Sequence, residues 1–415
     1  MKRSQSRADK TLLMITYYWP PLGGPGSLRP VKFAKYLPRF GIMPKVITRK
    51  EIAYHSYDRS LADDVPGIDV TRTDSFDPAR ILYRLGMRDY RVKDWHGTIK
   101  RAVNLPDNKL PWAPFAYHAG KKKDFDQIFV TAPPFSAFIT GYYLAKSTGK
   151  PFIADFRDAW LEYPFMRYEG SIQKGFARYW EEKVVASAKC ITVVDENIER
   201  ALTARYPQRA GKISVIPNGF DPDDFAQTVR SGVFTISYLG TIRPERDPEN
   251  VLRAVGKFCT MRRIGADKIR FKFIGHVEER FLRRMRNNTF VETIGHLPYK
   301  DAIREFCNSH LAVMITTGSE YFFPSRQQEY LASGLPVIVC GKSKGLHVMA
   351  DAFKEGYPGW TFDFDDIEGM SKKIYHVYQK WATGSIIEGK TPYKEYTREN
   401  LTGVLAGLIR QKRRS

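Results

Sequence analysis

Short apolar runs alternate with amphipathic segments along most of this chain. The short runs predict buried strands, the amphipathic segments predict helices, and their alternation is typical of parallel α/β sheets. Strands are expected at residues 12–19, 45–48, 69–72, 127–131, 152–156, 191–194 and 213–216, and again at 234–239, 271–274, 291–294, 311–316 and 336–339. The clearest helices are expected at residues 27–39, 136–148, 172–188, 196–205, 248–263 and 370–381.

A polar stretch with turn residues, 218–224, interrupts the alternation. The expected fold class is therefore α/β, with two Rossmann-like domains facing a cleft. Residues 1–225 form the first expected domain, residues 226–395 the second, and residues 396–415 a C-terminal helix with a basic tail. No apolar run approaches the roughly 20 residues that span a bilayer, and the first run, which ends at Pro20-Pro21, is interpreted as a strand.

The charge balance narrows the possible partners. The 415 residues include 66 Lys and Arg against 45 Asp and Glu, a formal net charge of +21. Such an excess predicts an anionic partner: nucleic acid, sugar-nucleotide phosphates or an acidic membrane surface. Four widely separated cysteines without a C-x-x-C motif indicate free thiols in a reducing compartment and no zinc site. We therefore expect a cytoplasmic protein that meets a membrane only from its surface.

Three glycines, Gly23, Gly24 and Gly26, separate the first expected strand from the first helix. Backbone N–H groups at such a turn can approach an anion closely, and Ser27 is the expected cap of the helix. The spacing is not G-x-G-x-x-G, and no acidic residue ends the second strand, which disfavours a nicotinamide cofactor. A purely structural turn is the alternative.

Asp155 and Asp158 flank Arg157 at the carboxyl end of an expected strand. Ligands of open α/β sheets bind beyond that end of the strands. One interpretation therefore places Asp155 or Asp158 in the cleft, against sugar hydroxyls or an acceptor. The alternative is an ion pair with the neighbouring arginine.

The second half of the chain offers cations for phosphate. Arg243 and Arg246 follow a strand and a glycine, and guanidinium groups match phosphate oxygens in pairs. Arg326 and Glu329 are three residues apart and share one face of a short helix that Ser325 is expected to cap. A cation at a helix start opposes the helix dipole, which favours a bound anion there; a surface ion pair is the alternative.

Residues 324–338, Pro-Ser-Arg-x-x-Glu-Tyr-Leu-Ala-Ser-Gly-Leu-Pro-Val-Ile, resemble the donor-site signature of family 4 retaining glycosyltransferases of the GT-B fold. Four other stretches resemble the same family, in the right order: Tyr18-Trp-Pro-Pro-Leu-Gly-Gly, Pro133-Pro134-Phe-Ser136, Asp155-Phe-Arg-Asp158-Ala-Trp160 and Ile216-Pro-Asn218-Gly219-Phe-Asp221. The resemblance covers nearly the whole chain.

The resemblance implies that a sugar moves from a nucleotide-sugar donor on the second domain to an acceptor facing the first, with retention of configuration. It implies that Glu329 binds the ribose and Arg326 the diphosphate. The remaining implied donor contacts are Arg243, Arg246, Gly275, Gly295, Gly23 and Gly24. Glu320 is a further candidate, although eight residues separate Glu320 from Glu329 where the family often has seven. The candidate catalytic residues are Asp155, Asp158, Arg243 and Arg326.

Neither a metal nor another cofactor is expected, because arginines can stabilise a departing nucleoside diphosphate and the resemblance argues against metal dependence. Two D-x-D matches, Asp124 with Asp126 and Asp363 with Asp365, lie in ordinary turn contexts.

A second basic feature is the recurrence of Arg80, Arg84, Arg88 and Arg91 beside aromatic residues. It predicts an interfacial helix on anionic lipid, with a merely solvated face as the alternative. Nucleic-acid binding is a rival use of the charge, but no helix-turn-helix, zinc-finger or RNP motif is present. We therefore expect a glycosyltransferase at the inner face of the cell membrane that extends a glycan or lipid-linked acceptor. A GT-B sugar-nucleotide epimerase is the alternative enzyme.

Overall fold

The computed structural model describes residues 10–54, 56–88, 106–162, 170–225, 232–286, 288–316, 326–341, 347–385, 387 and 394–411. The chain divides into two compact units, Met1–Asn218 with Arg398–Ser415, and Gly219–Thr397. The structure thus places the boundary at Asn218 where the sequence suggested 225. It also assigns the C-terminal helix to the first unit, where the sequence suggested a separate segment.

The first unit contains a parallel sheet of seven strands in the order β3-β2-β1-β4-β5-β6-β7. The strands are β1 Lys10–Ile15, β2 Ile42–Arg49, β3 Asp69–Thr73, β4 Gln127–Ala132, β5 Phe152–Phe156, β6 Cys190–Val193 and β7 Ile213–Val215. Every residue of β4 and β5 is buried, as expected for central strands covered on both faces.

The second unit contains a parallel sheet of six strands in the order β10-β9-β8-β11-β12-β13. The strands are β8 Phe234–Leu239, β9 Ile269–Ile274, β10 Val291–Gly295, β11 Leu311–Ile315, β12 Val337–Cys340 and β13 Gly359–Phe362. The sequence did not predict β13, a four-residue edge strand that begins with glycine and is only partly buried.

Helices connect the strands in both units. They are α1 Pro25–Tyr36, α2 Pro78–Arg84, α3 Ala113–Lys121, α4 Ser136–Thr148, α5 Ser171–Ser187, α6 Glu196–Arg205, α7 Glu249–Arg262, α8 Glu279–Met285, α9 Tyr299–Cys307, α10 Gln327–Ala332, α11 His347–Lys354, α12 Ile367–Ala382 and α13 Arg398–Arg410. The α/β class and the two Rossmann-like domains predicted from the sequence are confirmed. None of the described helices is long and apolar enough to cross a membrane.

Strand order reverses once in each sheet, between β1 and β4 in the first and between β8 and β11 in the second. The loops after these strands therefore diverge to opposite faces and leave a crevice at the carboxyl edge. The Gly23–Gly24 loop follows β1, and Pro133-Pro134 follows β4. In the second unit, Arg243 follows β8 and Arg326 follows β11.

The C-terminal helix α13 completes the core of the first unit. Leu401, Leu405 and Ile409 are buried in one cluster with Leu12 and Phe33. The ammonium groups of Lys10 and Lys189 each donate to the carbonyl of Ile409 at 3.1 Å. These cations satisfy carbonyls that the end of a helix leaves without partners.

The basic stripe expected at Arg80, Arg84, Arg88 and Arg91 is not one helical face. The helix α2 ends at Arg84, and Gly86 turns the chain with φ +90°. Arg80 is buried and donates through Nε to Asp74 at 2.8 Å and through Nη1 to the Glu51 carbonyl at 2.8 Å. Arg91 lies outside the described residues. The prediction of four lipid-facing arginines is therefore wrong for Arg80.

Candidate functional site

Three arginines meet at the switch point of the second sheet. Arg243 and Arg246 lie in the loop after β8, and Arg326 directly precedes α10. All three interact electrostatically with the buried hydroxyl of Tyr238, and Arg246 also hydrogen-bonds to it. Burial raises the pKa of Tyr238, although the three cations oppose that rise. The structure thus gathers the three expected phosphate ligands around one neutral phenol.

Arg326 has hydrogen-bonding capacity to spare. Its Cζ lies 5.7 Å from the centre of the Tyr299 ring, which supports the guanidinium through a cation–π contact. Its Nη1 is buried and has no hydrogen-bond partner among the described residues. A buried donor without a partner is costly, so this nitrogen is suited to an incoming oxygen.

Glu329 lies one turn further along, on α10. Its side chain is 1% exposed, and Tyr299 Oη donates to its Oε1 at 3.3 Å. The neighbouring Tyr330 joins the helix to both switch strands, because its Oη accepts from Leu239 N and donates to Val313 O, both at 2.9 Å. Tyr238, Tyr299 and Tyr330 were not predicted from the sequence. The sequence offered one general signal for them, because a buried tyrosine hydroxyl needs a hydrogen-bond partner.

The expected donor glycines line the same edge. Gly275 has φ +132°, and a Cβ there would lie 2.2 Å from the carbonyl oxygen of Gly240, so only glycine fits. Gly275 N donates to Gly295 O at 2.8 Å, which aligns the ends of β9 and β10. Backbone therefore packs against backbone at this position.

In the first unit, the glycine loop is folded tightly onto residues 56–58. Gly23 N donates to Ser56 O at 2.8 Å, and a Cβ on Gly23 would lie 2.9 Å from Asp58 Cβ. Gly24 has φ +85° and caps α1, so the prediction of Ser27 as the cap is wrong. Ser27 is in the first turn, fully buried, and its hydroxyl has no partner among the described residues.

Asp155 is a structural carboxylate, and the structure corrects its expected role. It is 0% exposed, and Arg29 donates Nη2 to its Oδ1 at 2.8 Å and Nε to its Oδ2 at 3.1 Å. Thr192 and Thr131 each donate a hydroxyl to it at 2.7 Å. With both oxygens occupied, Asp155 has no free acceptor for a sugar. The ion-pair alternative holds, but with Arg29 rather than with Arg157.

Arg157, which follows β5, contacts the loops after β1 and β4 at the carboxyl edge. It donates to Gly26 O at 2.7 Å, to Ala132 O at 3.3 Å and to Pro133 O. This side chain therefore links the glycine loop after β1 to the proline loop after β4.

Asp158, beside Arg157, has a pKa close to neutral pH. Burial raises its pKa to about 7, opposed by Arg157 and reinforced by Asp195. Asp195 caps α6 by accepting from Asn197 N at 2.8 Å, and burial raises its pKa to about 6. Asp195 was not predicted from the sequence, although it lies just after an expected strand and before an expected helix. Two carboxyl groups whose pKa values are raised by burial at one sheet edge are suited to proton transfer.

The remaining candidates from the sequence are Glu320, Ser325 and the two D-x-D matches. Glu320 and Ser325 lie outside the described residues. Asp126 precedes β4, at the edge opposite the switch point, and its Oδ2 accepts from Thr11 N at 2.8 Å. Asp365 Oδ1 accepts from Asn250 Nδ2 at 3.0 Å.

Residues 31–224 match the model of Glycosyltransferase Family 4. They form a Glycosyltransferase Family 4 domain. No curated protein matches the sequence of the chain. The matched residues include most of the first unit and reach the start of the second.

Solved structures show a similar fold over nearly the whole chain. The Anabaena protein HepE in complex with UDP-glucose is 13% identical, with a TM-score of 0.58 over 96% of this chain and 94% of that one. A glycosyltransferase from Rickettsia africae is 14% identical, with a TM-score of 0.58 over 96% and 93%. A putative UDP-N-acetylglucosamine 2-epimerase from Listeria monocytogenes is 12% identical, with a TM-score of 0.59 over 97% and 96%. At these identities the likeness shows the fold.

The ion pair of the family 4 domain gives a testable stability prediction. Asp155→Asn leaves the Arg29 guanidinium buried without its counter-charge, so the free energy of unfolding should fall by about 3–5 kcal/mol. Urea unfolding at pH 7 measures the change, with Asp63→Asn, at an exposed carboxyl, as the control.

The pH dependence follows from the same pair. Burial alone raises a carboxyl pKa, but Arg29 and the two threonine hydroxyls outweigh it and hold the pKa of Asp155 below its ordinary value. The pair's contribution should therefore be complete above about pH 4, the unfolded pKa, and disappear as the pH falls toward the folded pKa. Parallel pH profiles for the wild type and Asp155→Asn below pH 4 would contradict this assignment.

Proposed function

We propose that this chain transfers a sugar, with retention of configuration, from a nucleotide-sugar donor to a glycan or lipid-linked acceptor in the synthesis of cell-surface polysaccharide or glycolipid. The observation that carries the proposal is the gathering of Arg243, Arg246 and Arg326 around Tyr238 at the switch point of the second sheet. A donor binds there because that crevice combines fixed cations with a glycine-lined backbone edge.

The arginines stabilise the leaving group. Breaking the glycosidic bond to the nucleotide leaves negative charge on the diphosphate, and guanidinium groups already in place stabilise this charge without reorganising. Arg326 contributes most directly, because its buried Nη1 has an N–H that no described residue uses. Arg243 and Arg246 supply the remaining positive charge from the opposite side of the switch point.

Glu329 orients the donor. An ionised carboxylate accepts hydrogen bonds in the plane of its two oxygens, which suits a pair of ribose hydroxyls. Tyr299 and the short helix fixed by Tyr330 hold that carboxylate in one place. Glu329 therefore sets where the nucleotide lies, and Arg326 acts on the diphosphate attached to it.

Asp158 acts as the general base toward the acceptor. Its pKa of about 7 allows the carboxylate to accept the proton of an attacking hydroxyl at physiological pH. Asp155 does not take part, because Arg29 and two threonines occupy it.

An epimerase is the second candidate, supported by the likeness to the putative Listeria 2-epimerase. The two activities differ in their need for an acceptor. A transferase consumes donor in proportion to added acceptor, whereas an epimerase converts the donor sugar without one.

The protein meets the membrane through the end of α2. Ile81, Leu85 and Met87 are exposed there by 44%, 72% and 46%. Arg84 and Arg88 are exposed beside them. Apolar side chains flanked by cations fit an anionic lipid surface, which attracts the arginines and receives the apolar groups. We infer a cytoplasmic protein bound peripherally to the inner membrane face.

Donor binding tests the proposal first. UDP, GDP or ADP, or one of their sugars, should raise the melting temperature of the wild type by binding the native state. Arg326→Ala should weaken the binding of that ligand about tenfold or more and lower kcat, because Arg326 contacts the leaving group. Glu329→Gln should weaken binding with a smaller effect on kcat. The control is Arg283→Ala, which changes an exposed arginine of α8. Wild-type kinetics in Arg326→Ala at sub-saturating donor would refute the assignment.

Metal independence is a separate prediction. Turnover should stay within about twofold in excess chelator, because arginines rather than a cation neutralise the diphosphate. Loss of activity that Mg²⁺ or Mn²⁺ restores would contradict it. The variants Asp363→Asn and Asp365→Asn would then show whether the second D-x-D match is responsible.

Vesicle binding tests the membrane surface. Replacing Arg84 and Arg88 by Gln should remove about 1 kcal/mol of attraction per charge to anionic vesicles at low salt. Turnover of a water-soluble acceptor should not change. The double variant Lys146→Gln, Lys212→Gln carries the same charge change at exposed sites on α4 and before β7 and serves as the control. Equal co-sedimentation of both double variants, or stronger retention by duplex DNA than by vesicles at physiological salt, would overturn the membrane assignment.

A further inference from the structure

A side-chain hydroxyl stands between the two strands at the switch point of the second sheet. The parallel register of β8 and β11 joins residues 236 and 237 to residues 311 and 312. Continued toward the carboxyl ends, the same register would let Leu239 N donate to Val313 O. Instead, Tyr330 Oη accepts from Leu239 N and donates to Val313 O, both at 2.9 Å. The hydroxyl thus occupies the place of the next backbone hydrogen bond of the sheet.

Tyr330 is held in this place from the side of the helix. It lies on α10 and is 1% exposed. The centre of its ring is 4.7 Å from that of Phe306 on α9. A phenol hydroxyl has one donor and also accepts, so a single oxygen can satisfy a backbone group on each strand. The buried side chain therefore joins α10 to both strands and keeps the strands from pairing further.

The expected donor cations are attached to the parts of the fold that Tyr330 joins. Leu239 is the last residue of β8, and Arg243 follows it in the next loop. Arg326 lies one turn before Tyr330, since Tyr330 N donates to Arg326 O at 3.0 Å. The distance between the two arginines therefore depends on how far the hydroxyl holds β8, β11 and α10 from one another. A direct backbone bond between β8 and β11 would narrow the crevice at the switch point.

We propose that Tyr330 is a positioning residue of the donor site, whose hydroxyl sets the separation between Arg243 and Arg326. Fixed cations stabilise a diphosphate only when their spacing fits its oxygens. Tyr330 is buried and acts through the arginines, without contacting the donor. The effect on turnover rests on the proposed glycosyltransfer, whereas the effect on nucleotide binding does not.

Tyr330→Phe removes the hydroxyl and keeps the ring against Phe306. The variant should fold with a lower melting temperature, because Leu239 N and Val313 O lose their shared partner. Calorimetric titration of the full chain with UDP, GDP and ADP measures the consequence for the site. The nucleotide that the wild type binds most tightly should bind to the variant at least about tenfold more weakly.

Ser237→Ala is the matched control. Ser237 lies on β8, and its hydroxyl is 2.5 Å from the hydroxyl of Ser309, which precedes β11. This variant also loses a buried hydrogen bond between the two parts of the sheet, but it leaves the hydroxyl of Tyr330 in place. Its melting temperature should fall, while its nucleotide affinity stays within about twofold of the wild type. The same pattern in Tyr330→Phe, lower stability with unaltered affinity, would overturn the proposal.

A double-mutant cycle with Arg326→Ala separates positioning from an independent effect. Tyr330→Phe should weaken nucleotide binding by no more than about threefold when Arg326 is already absent, because the spacing of the arginines then no longer matters. Equal losses of affinity in both backgrounds would contradict the proposal, since independent effects add.

Turnover distinguishes this proposal from the proposed function. In a chain that transfers sugar, Tyr330→Phe should lower kcat at least about tenfold at saturating donor, because the displaced arginines fit the departing diphosphate less well. An unchanged kcat would overturn the positioning role in transfer. Weaker nucleotide binding by Tyr330→Phe in a chain that transfers no sugar would support the role of Tyr330 while refuting the proposed function. If none of the three nucleotides bound the wild type, both would be refuted.

Discussion

The buried pair between Arg29 and Asp155 is the interaction on which the first unit depends. It joins α1 to β5, and the threonines that complete it come from β4 and β6, so one carboxylate fixes three strands and a helix. Arg29 also holds Pro217 O at 3.0 Å, just before the chain enters the second unit. The position of the glycine loop follows from this pair, because α1 begins directly after Gly24.

The buried charged side chains of this protein fall into three groups according to their partners. Asp155 is fully matched within the fold, which makes it structural. Arg243, Arg246 and Arg326 lie near the neutral phenol of Tyr238, which offers them an oxygen but no counter-charge. Arg49 and Arg72 keep buried nitrogens that have no hydrogen-bond partner among the described residues. The sequence showed a large excess of basic residues. Only the hydrogen bonds and ion pairs of the structure distinguish the arginines that stabilise the fold from those that keep unused donors.

Local patterns predicted most of the fold, and distant contacts determined most of the site. Apolar runs located twelve of the thirteen strands in the part of the chain that the structure describes, while β13 was missed because it is short, begins with glycine and lies at a sheet edge. The motif around Arg326 and Glu329 could be recognised because its residues are adjacent. The ion-pair partner of Asp155 could not be recognised, because Arg29 lies 126 positions away in the sequence whereas Arg157 is close to Asp155.

The docking of α13 has a consequence for the order in which the protein folds during synthesis. The first unit needs Leu401, Leu405 and Ile409 to close its core, yet these residues are synthesised after the whole second unit. Until then, the apolar surface that α13 covers is exposed to chaperones or to other nascent chains. Domains usually fold in the order of their synthesis. Here the second unit has all of its residues before the first, so the unit that is begun first is completed second.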